Sequence, residues 1–269
     1  QPVGYDRPVP ATADVTIAFT DAGHLLGSSF VRMTLAGDGG REILFSGDLG
    51  RYERPVLPDP SRVETADILL IESTYGDRLH EQDDNGERLA GIITATITGG
   101  GKVIIPAFAV GRVEEVIYWL KRLEAARRIP VVPVYLDSPM AVEALRHYAS
   151  HSRDLDPDMQ TGRGQMSAFT TQRFTAVSSI VQSRQVQASP APCIVISSSG
   201  MATGGRVLHY LAAALPNPRH TVLFVGYQAA GTRGRQMLEG ARTVKIHGEL
   251  VPVGARVERI DSMSAHADQ

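Results

Sequence analysis

The 269-residue chain is poor in cysteine, in lysine and in long apolar runs, and each shortage removes a class of function. The single cysteine, Cys193, sits in the apolar run "PCIVIS", so no disulfide can form within the chain and the thiol reads as buried. No apolar run approaches the roughly 18 residues of a membrane span. The opening "QPVGYDRPVP" lacks the basic-then-apolar layout of a secretion signal, so the expected location is cytoplasmic, with no membrane partner. Of 27 basic residues only Lys102, Lys121 and Lys245 are lysine. The formal net charge of -2 excludes a positive coat for indiscriminate nucleic-acid binding. A local arginine groove stays open, since arginine suits bidentate phosphate contacts, although genome base composition explains the same bias. No internal repeat or low-complexity tract is present. At 43% hydrophobic residues, the chain can bury one large core or two modest ones.

What is present falls into two grammars. From Asp14 to Glu72, "VTIAFT", "SFVRMTL", "REILFSGDLG" and "ADILLIEST" are short β-branched or apolar runs between glycine-rich and acidic turns, which predicts a β layer without a convincing helix. After "YGDRLHEQDDNG" the units alternate. A helix from Gly86 to about Thr98 precedes the strand "KVIIPAF", and "GRVEEVIYWLKRLEAA" carries apolar residues at helical spacing. The strands "VVPVYLD", "CIVISS" and "TVLFVG" alternate with the helices "PMAVEALRHYASH", "GGRVLHYLAAAL" and "TRGRQMLEG". Such alternation predicts a mostly parallel sheet with helices on both faces. The stretch from Asp154 to about Ser183 reads as a polar, irregular excursion, and short strands return in "TVKIHG" and "ARVERID".

Four residues stand where chemistry could be done. His24 in "FTDAGHLLGSSF" follows a strand and precedes a small-residue turn; a hydrogen-bonded structural histidine and a metal ligand both fit that position. Asp48 in "ILFSGDLG" is flanked by glycines at a strand end, as an ordinary turn residue or as a rim carboxylate. One imidazole and one carboxylate suit a divalent ion, yet a zinc site needs at least three protein ligands. Glu72 follows four apolar residues at the end of what reads as a buried strand, where an acid is costly unless partnered. We pair it with His266 of "SMSAHADQ", because a carboxylate bound to an imidazole fixes its tautomer and favours its protonated form, ready to give a proton to a leaving group. Finally, "ISSSGMATGGRVLHYL" is a strand, a serine- and glycine-rich turn and a helix start, where backbone N–H groups suit a phosphate or serve plain packing. The turns "PAFAVGRVEEV", "LDSPMAVE" and "VGYQAAGTRGRQ" repeat the layout, with Arg112, Arg206, Arg233 and Arg235 at or near the helix entries.

Taken in order, "GHLLGSS", "FSGDLGR", "IESTYGDR", "IPAFAVGRVEEV", "YLDSPMA", "SSSGMATGGR", "GYQAAGTRGR" and "SAHAD" resemble the metallo-β-lactamase-fold β-CASP nucleases of RNA processing, across nearly the whole chain. The resemblance implies an α/β fold: a partial metallo-β-lactamase αββα layer over residues 1–76, an inserted β-CASP domain over 77–261, and a return beginning at 262–269. It implies that His24 is a zinc ligand, that Asp48 bridges two zinc ions, and that Glu72 and His266 act together near the scissile phosphate. By the same resemblance Ser198, Ser199, Gly200, Gly204, Gly205, Arg112 and Ser264 line the path of the RNA.

The family's H-x-H-x-D-H motif and a further histidine beyond His266 are not in this sequence, so the expectation is a piece of a longer protein, cut at both ends and nearly inactive alone. The function implied is zinc-dependent hydrolysis of RNA phosphodiester bonds, endonucleolytic or from the 5′ end, with single-stranded DNA as an open alternative substrate and a homodimer left open. Two rival readings are a non-catalytic nucleic-acid-binding or scaffold member and a small-molecule metallo-hydrolase of the same fold. The retained acids and imidazoles weigh against the first, and the large insertion suits a long polyanion better than a small molecule.

Overall fold

Short apolar runs of the first seventy residues pair into a sheet. In a computed structural model, which describes residues 2–82, 84, 86–159 and 166–269, strands β1 (Val9–Pro10), β2 (Val15–Asp21), β3 (Ser29–Leu35), β4 (Arg41–Phe45) and β5 (Ile68–Leu70) form a five-stranded sheet in that order. The first four are antiparallel neighbours, and β5 runs parallel to β4 with Phe45 opposite Leu70. The chain divides into two compact units. This sheet lies in the first, which comprises Gln1–His80, Arg153–Gln160 and Ala265–Gln269. Its core is small: Ala22, Phe30 and Leu44, with Leu49 and Val63 packed against them.

The strand that leads to Glu72 differs from the sequence reading. Ile68, Leu69, Leu70 and Ile71 are exposed by 43–60% rather than buried. Their apolar run suits a strand covered on both faces, but β5 is the last strand of this sheet among the described residues, and no strand pairs beyond it. An apolar hollow of about 510 Å³, lined by Phe30, Leu44, Tyr52, Pro60, Leu69 and Ile71, opens on the same region.

The second unit, Glu81–Ser152 and Thr161–Ser264, is built on a six-stranded sheet. Its strands are β6 (Val103–Pro106), β7 (Val134–Asp137), β8 (Phe174–Ala176), β9 (Ile194–Ser197), β10 (Thr221–Phe224) and β13 (Arg256–Arg259). They lie in the order β13-β10-β6-β9-β7-β8, and every pairing is parallel. A hairpin of β11 (Thr243–Ile246) and β12 (Glu249–Pro252) stands beside it. Six helices alternate with the strands: α1 (Glu87–Thr98), α2 (Arg112–Ala125), α3 (Pro139–Ser150), α4 (Ile180–Ala188), α5 (Val207–Ala214) and α6 (Arg233–Leu238). Successive strand residues point to opposite faces. Ile104, Val195, Val222 and Phe224 join the core cluster that includes Val207 and Leu211 of α5, while Val103, Ile105, Ile194, Ile196 and Leu223 on the other face are equally buried. Both faces are therefore covered, as continuous apolar strands such as "VIIP" require.

Caps fix where helices begin. Ser138 accepts from Ala141 N–H with Pro139 in the first turn of α3; Ser179 and Thr232 cap α4 and α6 in the same way. Of the excursion expected to be irregular from Asp154 to Ser183, residues 160–165 lie outside the described residues; the others hold the end of one 3-10 turn (Ser152–Asp154), two more (Pro157–Met159 and Met166–Phe169), strand β8 and the start of α4. β8 has only three residues, too short for a period-2 pattern to register.

Candidate active site

Strand directions alone bring three of the four singled-out residues to one edge of the first sheet. Because β4 and β5 are parallel, the segments leaving them, with Asp48 and Glu72, emerge side by side. Because β3 is antiparallel to β4, the loop from β2 into β3, with His24, lies at that edge as well. Close main-chain contact fixes this loop. Gly50 donates to the Ala22 carbonyl at 2.8 Å, and a Cβ at Gly50 would stand 2.2 Å from the Gly23 carbonyl, so only glycine fits. Ser28 Oγ accepts from the N–H groups of both His24 and Leu25, closing the turn.

His266 joins from the far end of the chain. Ala267 N–H donates to the Leu49 carbonyl at 2.8 Å, and Asp268 bridges to Tyr75. His266 Nδ1 then lies 3.0 Å from both Oε1 and Oε2 of Glu72. Leu49 N–H donates to Glu72 Oε1 at 2.6 Å, and Glu72 N–H donates to Ser46 Oγ. Burial alone would raise the Glu72 carboxyl, but hydrogen bonds from Thr74, His266 and Leu49 outweigh it and hold the group below the ordinary glutamate range. Glu72 is thus a carboxylate at neutral pH.

His24 is buried, and its Nδ1 donates to the Ala265 carbonyl at 3.2 Å. That bond places the proton on Nδ1 and leaves the lone pair on Nε2, which faces Asp48 Oδ2 at 3.9 Å. Burial, then the neighbouring His266, lowers the proton affinity of His24 and keeps it neutral, as a metal ligand must be. The 3.9 Å gap is too wide for a hydrogen bond. It lies within the span of about 4 Å that two donors, each about 2.0–2.1 Å from one zinc ion, can bridge. His24, Asp48 and His266 each offer an atom within 4.8 Å of the others. The His24 and His266 rings are 4.4 Å apart. The donor set fits zinc in kind, although three donors among the described residues fall short of the usual four.

Three residues that the sequence reading passed over brace the group. His80 Nε2 donates to the His266 carbonyl at 2.9 Å, His80 N–H donates to Asp268 Oδ2 at 2.6 Å, and the Tyr75 ring lies 4.2 Å from the His80 ring. The only sequence signal was proximity: Tyr75 and His80 follow Glu72, and Asp268 follows His266, within a few positions.

The remaining predicted residues belong to the second unit. Ser198, Ser199, Gly200, Gly204 and Gly205 form the turn from β9 into α5. The amides of Ser199, Ala202, Thr203, Gly204 and Val207 all donate within the turn, so it offers fewer open N–H groups to an anion than its pattern suggests. A clamp holds its far end: fully buried Asp137 accepts from Arg206 at 2.6 Å and from the Tyr210 hydroxyl at 2.7 Å. Arg112 is buried and donates to Glu115 at 2.7 Å, which directs its guanidinium inward. Ser264 is 3% exposed.

A family model of the Beta-Casp domain matches residues 113–237. The chain is 40% identical to Ribonuclease TTHA0252 of Thermus thermophilus over 95% of its own length and 58% of the relative's. It is 35% identical to Transcription termination factor FttA of Methanosarcina mazei (100% of this chain, 44% of the relative) and 33% identical to an RNase J-like protein of Methanocaldococcus jannaschii (96% and 59%). The chain carries a β-CASP domain. Apart from Arg153–Gln160, the matched residues belong to the parallel-sheet unit, and the chain spans 44–59% of the length of these curated relatives. No helix among the described residues is long and apolar enough to cross a membrane.

Proposed function

We propose that this β-CASP chain serves a zinc-dependent ribonuclease that hydrolyses RNA phosphodiester bonds. The observation that carries the reading is the Glu72–His266 pair standing beside the His24–Asp48 donors. Relatives named as a ribonuclease and an RNase J-like protein support it.

His24 Nε2 and the Asp48 carboxylate would hold the metal, which when bound would polarise phosphate oxygens and acidify a water. Glu72 accepts the His266 Nδ1–H and fixes the ring, so that Nε2 is the nitrogen that handles the transferred proton. As the oxygen of an attacking water bonds to phosphorus and the bond to the ribose oxygen breaks, the water gives up a proton to solvent, and protonated His266 gives its Nε2 proton to the departing ribose oxygen and returns to neutral imidazole, still bound to Glu72. His80 keeps the His266 main chain in register. Because His24 and Asp48 are the donors left to the metal among the described residues once His266 is engaged with Glu72 and the leaving group, zinc binding by this chain alone is expected to be weak.

The test is cleavage of 5′-labelled and internally labelled RNA by the full-length protein. Zinc-dependent cleavage lost in His24→Ala and His266→Ala is the expected result; unimpaired cleavage in either variant would refute the assignment. The product pattern from the two labels separates internal from 5′-terminal attack.

A further inference from the structure

The second unit carries exposed aromatic rings where its topology predicts a ligand. From β6 the chain runs on through α2 to β7, on one side of the sheet, whereas from β10 it runs to β13, on the other. β6 and β10 are paired neighbours, Val103 opposite Thr221 and Ile104 opposite Val222, so the connections diverge beyond the carboxyl ends of these two strands. In open parallel sheets ligands bind at such switch points.

The two loops that leave this point carry Phe108 and Tyr227. Phe108 is 41% exposed and Tyr227 40% exposed, in a unit whose other phenylalanines in the core, Phe169 and Phe224, are fully buried. Phe108 is not a loose side chain. A Cβ on Gly200 would stand 2.9 Å from both its ring and its main-chain nitrogen, and a Cβ on Gly226 would stand 3.7 Å from the ring. The ring thus lies against two glycines whose missing side chains give it room, while two-fifths of the residue faces solvent. Gln228, buried, ties the two glycine loops together by donating to the carbonyls of Gly200 and Gly226. The support is rigid and the exposure is built in.

A cation stands on the same turn. The Arg233 guanidinium donates to the carbonyls of Lys245, Ala202 and Thr203, neutral partners that leave its charge able to attract a phosphate. Arg233 is thus tied to the turn that carries Gly200, against which Phe108 lies, and flat exposed rings together with a fixed arginine are the chemistry by which proteins hold unpaired bases and their backbone.

We propose that Phe108 and Tyr227 form a stacking platform for the bases of single-stranded RNA at the carboxyl edge of the β-CASP sheet. This deepens the ribonuclease reading and rests on it, since it names residues that would hold the substrate strand. The charge supplied by Arg233 favours a polyanion over an apolar peptide as the occupant.

The test uses the 269-residue chain in EDTA, so that no cleavage intervenes, with a fluorescein-labelled ten-nucleotide oligoadenylate and a ribose-phosphate strand of equal length without bases. The wild-type chain is expected to bind the oligoadenylate at least about tenfold more tightly than the abasic strand, within the range a stacked base supplies. Phe108→Leu and Tyr227→Leu should each weaken oligoadenylate binding by about tenfold and leave abasic binding unchanged. Two independent variants, each checked by thermal melting, keep the test valid if one fails to fold. Variants that weaken both strands equally, or neither, would overturn the platform while leaving RNA binding by the chain intact. Failure of the wild-type chain to bind either strand would overturn the platform and count against the RNA reading as well.

Discussion

His266 Nδ1 lies 3.0 Å from each oxygen of the Glu72 carboxylate, across 194 positions of sequence. The carboxylate is also held by the Leu49 N–H, so its position does not depend on the histidine. Replacing Glu72 with Gln keeps the shape and puts a neutral amide in place of the carboxylate that accepts the His266 Nδ1–H. RNA cleavage by the full-length protein is expected to fall by roughly 10²- to 10⁴-fold, the usual worth of a positioned proton donor. A steady-state assay with matched melting curves checks this; a loss below about threefold would refute the role of the pair.

His80 is expected to matter through position alone, since its contact is with the His266 main chain. His80→Ala should lower kcat with little change in KM, and His80→Gln, whose amide can restore a donor, should recover part of the loss. Equal activity in the alanine variant would remove His80 from the site. Zinc titration of the chain itself gives a second readout of this region: the wild-type chain should bind weakly, and His24→Ala should abolish that binding.

The buried pair Asp137–Arg206 is a matter of stability. Asp137 is fully buried and holds both Arg206 and Tyr210. Asp137→Ala leaves the buried Tyr210 hydroxyl and the partly exposed Arg206 without their acceptor; since water can reach the arginine, the cost is expected at the lower end of the about 3–5 kcal/mol that breaking a buried pair from one side takes. Urea unfolding should register a loss of that size, whereas removing the exposed pair Arg146–Glu143 should cost less than about 1 kcal/mol.

Much of this was legible beforehand because the signals were local. Strands such as "VIIP" and helices such as α2 announced themselves by period, and His24, Asp48 and Glu72 by their place just after strands. The approach of His266 to Glu72 was inferable from chemistry, since each needed a partner. What could not be read was whatever depends on packing that the residue types themselves do not display. The exposure of Ile68–Ile71 depends on what covers β5, not on those residues themselves. The inward turn of Arg112 depends on Glu115 three positions on, which reads from sequence as an ordinary surface pair. The role of His80 depends on a main-chain carbonyl 186 positions away, and carbonyls leave no mark on sequence.

That exposed apolar strand has a measurable consequence. Ile68, Leu69, Leu70 and Ile71 form an uncovered edge of the first sheet, and such edges recruit other chains. The isolated chain should bind a hydrophobic dye and self-associate with rising concentration, and the double change Leu69→Lys with Ile71→Lys should suppress both. Light scattering that does not change between the two would show that the edge is silent.

Glu114 on α2 gives the pH dependence. It is fully buried, and burial raises its carboxyl to about 8, more than Gly111, its own N–H and Arg112 pull it down. An acid whose folded pKa lies above its unfolded value binds more protons folded than unfolded between the two. Its effect on stability is therefore neutral below about pH 4.5 and grows unfavourable as pH rises to about 8, at up to roughly 1.4 kcal/mol per pH unit, then levels off. Glu114→Gln removes the ionisation. The variant should gain stability over the wild type between pH 5 and pH 8.5, and the difference should stop growing above that. Urea unfolding of both proteins at pH 5, 7 and 8.5 measures it directly, and a difference that stays constant across the three would mean that Glu114 titrates in the ordinary glutamate range.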